Sequence, residues 1–159
     1  MPTIVIQRPS RKGFSPTARE LRRFGEHVLG VYKPEAEVTI RIVSRDEITA
    51  LNRDYRHKDK PTNVLSFRME IPEGLVLSPI PIGDIVICAE IVNEEAAAQH
   101  KLPMSHWAHM VVHGVLHLLG FDHETDDEAF IMQSIEADLM QQMGFNNPYD
   151  TEDDTKYEK

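Results

Sequence analysis

The chain has 159 residues, with 17 Lys and Arg against 26 Asp and Glu and a net charge of −9. That length suits one domain with a single core, and the 41% hydrophobic and 27% charged fractions are those of a soluble globular chain with no apolar run of bilayer length. Charge is uneven: residues 1–68 hold 14 basic and 8 acidic side chains (+6) and residues 69–159 hold 3 and 18 (−15), so the acidic total does not exclude a basic face for RNA.

The opening Met1-Pro-Thr-Ile-Val-Ile-Gln-Arg lacks the basic start and long apolar stretch of a signal peptide. Cys88 is the only cysteine, so no internal disulfide is available and a reducing cytoplasm is the expected compartment. Within its apolar run, Cys88 reads as a buried, inert thiol.

In chain order, Thr3–Arg8 is rich in β-branched residues and predicts a strand. Ser15-Pro16 predicts a helix start, with Ser15 as N-cap and proline in the first turn, running to about Val31. Glu37–Val43 alternates and predicts a half-buried strand; Ser44-Arg-Asp-Glu47 matches a capping box and opens a second helix, with Leu51 inward, to about Tyr55. Arg56 then falls near a helix end, before a polar loop with Lys58, Asp59, Lys60 and Pro61. Asn63–Arg68 predicts a third strand, 72–83 a loop and Ile85–Ala89 a fourth, buried strand. Helices are predicted from Ala89 to His100, from Pro103 through the histidine-rich run with Met104, Trp107, Met110 and Val111 inward, and over 125–143. The last carries Phe130, Ile131, Ile135, Leu139 and Met143 at helical spacing behind an acidic first turn, and Gly144 ends it. The sum is one α+β domain, residues 1–146, with a sheet of about four strands and packed helices, followed by an acidic tail, 147–159, expected to be disordered.

The run His113-Gly-Val-Leu-His117-Leu-Leu-Gly-Phe-Asp-His123 carries the chemistry. His113 and His117, four apart, share one helix face. Gly120 is suited to ending the helix in the left-handed conformation, which turns the chain and returns His123 to the other two. Three imidazoles with no fourth protein ligand describe a catalytic zinc site with an open position, not a closed structural one. His109, four residues before His113, has a structural or an orienting role open to it; His27 and His57 read as surface residues. Asp122 and Glu124 flank the third histidine, each able to orient an imidazole or cap the next helix, and capping is preferred for Glu124. The methionines, Met132 included, read as core. Metalloproteases with this histidine spacing place Glu directly after the first His as general base; here that residue is Gly114, which removes most support for peptide hydrolysis.

These residues resemble the YbeY family of endoribonucleases. Three ordered blocks carry the resemblance: HGVLHLLGFDH at 113–123, Leu51–Arg56 followed by Pro61–Phe67, and Gly83–Ile87. Asn63 stands where many members carry Asp. The resemblance implies a zinc-dependent, single-strand-specific endoribonuclease in ribosomal RNA maturation at the small-subunit RNA 3′ end and in ribosome quality control. It implies one zinc ion on His113, His117 and His123, with Arg56 and His113 assigned to catalysis and Arg56 to substrate binding. Its implied partners are ribosomal RNA, the small ribosomal subunit, ribosomal proteins and an Era-type GTPase, with no membrane. A guanidinium suits the Arg56 role because it stays charged and grips a phosphate through paired hydrogen bonds.

The expected chemistry is phosphodiester cleavage in which zinc activates water or polarises a phosphoryl oxygen while Arg56 holds the phosphate. No side chain stands out as general base, leaving a zinc-activated water or the RNA 2′-hydroxyl as nucleophile. Trp107 and Tyr55 are candidates to stack on bases, with core packing the more economical role for Trp107. Two other readings stand beside this one: a hydrolase of another substrate such as a peptide, and a zinc-stabilised ribosome assembly factor without turnover.

Overall fold

Runs rich in isoleucine and valine build the sheet in the computed structural model, which describes residues 1–150. The strands are β1 (Thr3–Gln7), β2 (Ala36–Val43), β3 (Val64–Arg68) and β4 (Ile80–Cys88). The helices are α1 (Ala18–Tyr32), α2 (Arg45–Arg56), α3 (Ala89–Ala98), α4 (Pro103–Leu118) and α5 (Asp126–Gln142). The sheet order is β1-β2-β4-β3. β1, β2 and β4 run parallel, with Ile4 opposite Val38 and Ile40 opposite Ile85; β3 is an antiparallel edge strand, with Phe67 opposite Asp84. The expected α+β domain is therefore the observed one.

Strand alternation sorts the core into two layers. Val38, Ile40, Ile42, Ile85 and Ile87 face α1 and α4 in the main core, while Val43, Leu65, Val86 and Cys88 pack with Ile48 and Leu51 of α2 on the opposite face. α4 is the central helix, with 12 of its 16 residues buried. It is apolar nearly all round, as a helix enclosed on several sides must be. Trp107 is fully buried within it, and its indole N–H donates to Asn93 Oδ1 at 2.8 Å, so packing and not base stacking is its role. Cys88 is buried as expected, and burial pushes its thiol pKa up.

Several predicted boundaries move, each for a local reason. The α1 cap is Thr17, not Ser15: Thr17 Oγ1 accepts from Glu20 N–H at 3.1 Å and Glu20 returns a bond to Thr17 N–H at 2.8 Å, a complete capping box. Ser15 instead accepts from the Arg8 guanidinium at 3.1 Å. At Ser44 the cap forms as predicted, but Glu47 turns away to pair with Arg41 at 3.0 Å. β4 begins at Ile80, five residues before the predicted Ile85, because a register shift between Glu37 and Val38 of β2 absorbs the Pro81–Gly83 stretch that had read as loop. Thr125, not Glu124, caps α5. Phe130 and Ile131 are exposed at 73% and 54%, and the buried stripe of α5 runs through Met132, Glu136, Leu139, Met140 and Met143. Of the expected tail, Asn147–Asp150 forms a turn with Pro148 buried; residues 151–159 lie outside the described residues. No helix among the described residues is long and apolar enough to cross a membrane.

Candidate active site

α4 ends where the sequence predicts. Leu119 and Gly120 close its last turn, Gly120 adopts φ +103°, and the chain reverses so that Phe121 N–H returns to the Leu116 carbonyl at 3.0 Å. The reversal brings His123 beside His113 and His117. Ring centroids lie 4.5 Å apart for His113 and His117, 5.0 Å for His117 and His123, and 5.7 Å for His113 and His123. One nitrogen from each ring falls within 4.8 Å of the others, an arrangement able to hold a metal ion. His113 Nε2 and His117 Nε2 stand 3.0 Å apart, close to the roughly 3.3 Å between two nitrogens on a tetrahedral zinc.

Protonation favours the same reading. Burial lowers the His117 pKa, the charges of His113 and His123 lower it further, and it falls to about 4. Its imidazole is therefore neutral at pH 7, the form that binds a metal. Three convergent imidazoles at this spacing are a donor set that fits zinc.

Beneath the histidines lies a buried carboxylate that the sequence reading did not single out. Glu136, 1% exposed, accepts from His109 Nε2 at 2.5 Å and from the Tyr149 hydroxyl at 2.9 Å, and its Oε2 lies 3.4 Å from His113 Nδ1. Burial alone would raise its pKa, but the hydrogen bonds and charges of His109 and His113 outweigh that and hold it at about 2. Burial lowers the pKa of His109, against the pull of Glu136. A signal did exist in the sequence: Glu136 occupies a core position of the Met132–Met143 stripe, where an acidic residue needs a partner. Asp122 accepts from His123 backbone N–H at 2.8 Å, closing the loop locally.

The histidines open into a cleft of about 880 Å³, also lined by Arg56, Lys58, Lys60, Phe67 and Arg68. Arg56, the last residue of α2, donates to the Ser66 carbonyl at 2.7 Å and lies over the Phe67 ring, 5.3 Å from its centre. His57 ends the helix in the left-handed conformation, and the buried Asn52 donates to the Lys60 carbonyl at 2.9 Å, pinning the basic loop against the site. Arg68 Nε donates to the His117 carbonyl at 2.9 Å. Thus Arg56, 57 residues from His113 in sequence, shares one cleft with all three histidines. Tyr55, 62% exposed, packs edge-on against Phe67. His27 and His57 stay away from this cluster, while His106 is buried and bonds to Glu95 at 2.9 Å.

Two sequence departures gain a physical reason. A Cβ on Gly114 would meet Ile85 Cγ2 at 2.9 Å, so the position after the first histidine faces the sheet at close range and has no room for a glutamate base. Asn63 donates its amide to both Glu95 oxygens, at 3.0 and 3.2 Å, where an aspartate would set two carboxylates together.

The family model described as Endoribonuclease YbeY matches residues 10–144. A curated Endoribonuclease YbeY from Alcanivorax borkumensis is 47% identical over 152 residues, spanning 93% of this chain and 86% of that protein. The solution structure of TM1509 from Thermotoga maritima superposes with a TM-score of 0.56 at 26% identity, covering 90% of this chain and 91% of that one. With the family model matched from residue 10 to residue 144, a span that holds Arg56 and the three histidines, the chain belongs to the endoribonuclease YbeY family.

Proposed function

We propose that this protein is a zinc-dependent endoribonuclease that cuts single-stranded RNA. We infer further that it matures ribosomal RNA at the small-subunit 3′ end, takes part in ribosome quality control, and works in the cytoplasm with the small subunit, ribosomal proteins and an Era-type GTPase. The observation that carries the reading is the convergence of His113, His117 and His123 at a cleft lined by Arg56, Lys58, Lys60 and Arg68.

In this reading His113, His117 and His123 hold one zinc ion. When bound, zinc supplies Lewis acidity, lowering the pKa of a water and polarising a phosphoryl oxygen. The chain's own residues do the remaining work. Arg56, oriented by the Ser66 carbonyl and the Phe67 ring, clamps the scissile phosphate and opposes the charge that builds on it. Lys58, Lys60 and Arg68 neutralise flanking phosphates, a local basic lining on an acidic molecule. Tyr55, exposed at the cleft margin, offers a ring face to an unpaired base, which favours single strands over duplex. Among the described residues no carboxylate lines the cleft as a base apart from Asp122, which is bonded to backbone, and this favours attack by the RNA 2′-hydroxyl or by an activated water.

The test is cleavage of a labelled single-stranded RNA beside a duplex control by wild type, Arg56→Ala and His117→Ala, each checked for zinc content and fold. Cleavage of the single strand alone, lost in both folded variants, is expected. A 2′,3′-cyclic phosphate end identifies the 2′-hydroxyl as nucleophile. A folded, zinc-loaded wild type that binds RNA without cutting it would transfer the role to ribosome assembly, and undiminished cleavage by both variants would mark a contaminating nuclease.

A further inference from the structure

The buried cluster behind the metal site is more elaborate than packing requires. One Glu136 oxygen receives His109 Nε2 at 2.5 Å and faces His113 Nδ1 at 3.4 Å; the other receives the Tyr149 hydroxyl at 2.9 Å. His109 Nδ1 is buried and has no hydrogen-bond partner among the described residues, so the His109 proton sits on Nε2 and is donated to Glu136. His113 is left with its two nitrogens assigned to different neighbours: Nδ1 toward the carboxylate, Nε2 toward His117.

His109, His113 and Glu136 also form a second group whose ligand atoms are close enough to suggest a cation. The distances decide against it. Two atoms bound to one zinc at about 2.0–2.1 Å each stand roughly 3 Å or more apart, whereas His109 Nε2 and Glu136 Oε2 are 2.5 Å apart, a hydrogen-bond separation. The cluster is a relay onto the first site and not a site of its own.

We propose that Glu136, braced by His109 and Tyr149, is the positioning residue of the metal centre: it holds His113 in the tautomer with the proton on Nδ1, presenting a bare Nε2 to the ion. A ligating imidazole commonly needs such an outer acceptor, because a freely rotating ring with either tautomer available binds more weakly. The arrangement also ties the C-terminal segment to the site. Tyr149 lies in the turn Asn147–Asp150, anchored by the buried Pro148, whose carbonyl accepts from Lys101 Nζ at 2.6 Å. The segment after α5 thus takes part in shaping metal affinity. This inference rests on the three-histidine metal reading.

The test uses the full chain. Nitrogen-15 NMR of the imidazoles in chelator-treated wild type reports the His113 tautomer without any mutation, and competition titration with a chromophoric chelator gives zinc affinity for wild type, Glu136→Gln and Tyr149→Phe. The expected results are an Nδ1-protonated His113, a zinc affinity reduced roughly 10–100-fold in Glu136→Gln, and a smaller loss in Tyr149→Phe, with melting behaviour recorded for each. An Nε2-protonated His113 in wild type, or a folded Glu136→Gln with wild-type zinc affinity, overturns the proposal. Should Glu136→Gln not fold, the wild-type tautomer and Tyr149→Phe still decide it. A wild type that binds no zinc overturns the metal reading itself, and the tautomer then tells separately whether Glu136 orients the ring.

Discussion

Replacing Gly114 by alanine tests how closely the histidine-bearing helix must approach the sheet. The added Cβ would stand 2.9, 3.0 and 3.2 Å from Cγ2, Cδ1 and Cγ1 of Ile85. Ile85 has no exposed surface, lies at the centre of the sheet between Ile40 and Ser66, and is β-branched, so it has little freedom to rotate away. α4 must then withdraw from β4 by several tenths of an ångström. Alanine gains about 1 kcal/mol of helix propensity, against an overpacking cost at the upper part of the roughly 1–3 kcal/mol range because three contacts tighten together. The net is a destabilisation of about 1–2 kcal/mol. Gly30 in α1 is the control: a Cβ there meets nothing within 4 Å, so Gly30→Ala keeps the propensity gain, up to about 1 kcal/mol, without the clash. The two variants should therefore differ by about 2–3 kcal/mol, or roughly 4–12 °C in Tm for a domain of this size. Thermal melting and urea titration measure this directly, and zinc affinity should fall in Gly114→Ala because His113 moves with the helix. Equal stability of the two variants would refute the close-approach argument.

Three further outcomes are expected. Arg56→Ala removes an exposed side chain whose bonds are to one carbonyl and one ring, so stability should change by no more than about 0.5 kcal/mol. RNA cleavage should fall roughly 10²–10³-fold, read from single-turnover rates beside a melting curve; a parallel loss of fold would contradict this. Thr17→Ala should cost about 1 kcal/mol by urea titration, because it removes the Glu20 N–H bond, while Ser15→Ala should be nearly silent for the helix. Acidification should destabilise the metal-free protein in two windows. His117 drops from 6.5 unfolded to about 4 folded, first by burial and then by its histidine neighbours, so the unfolded chain binds more protons there and stability falls as pH goes from 6.5 toward 4. Glu136 drops from 4.5 to about 2, so its contribution is full above 4.5 and is lost as pH falls toward 2. Urea midpoints across pH should show both slopes, Glu136→Gln should flatten the lower one, and saturating zinc should steepen the upper; a flat profile from pH 6.5 to 4 would contradict the His117 assignment.

What could be read along the chain was local. Alternation in Glu37–Val43, the Ser44 cap, the Pro103 start of α4 and the four-residue spacing of His113 and His117 are short-range consequences of backbone geometry, and the structure keeps them. Gly120 was legible for the same reason, since a left-handed turn needs a residue without a Cβ. Arg56 was placed in the cleft by resemblance alone; its spacing has no period that points to His113, and only the packing of edge strand β3 against α4, with the end of α2 bonded to β3, brings it there. The buried face of α5 was misread because Phe130 and Ile131 fit a helical stripe as well as Met132 and Glu136 do, and which stripe turns inward depends on what α4 offers opposite it. α4 offers His109 and His113, so a carboxylate is buried there in place of a hydrocarbon. Periodicity along one element specifies which residues share a face; the partner across the interface decides which face is buried and what chemistry it needs, and that was settled only by the tertiary structure.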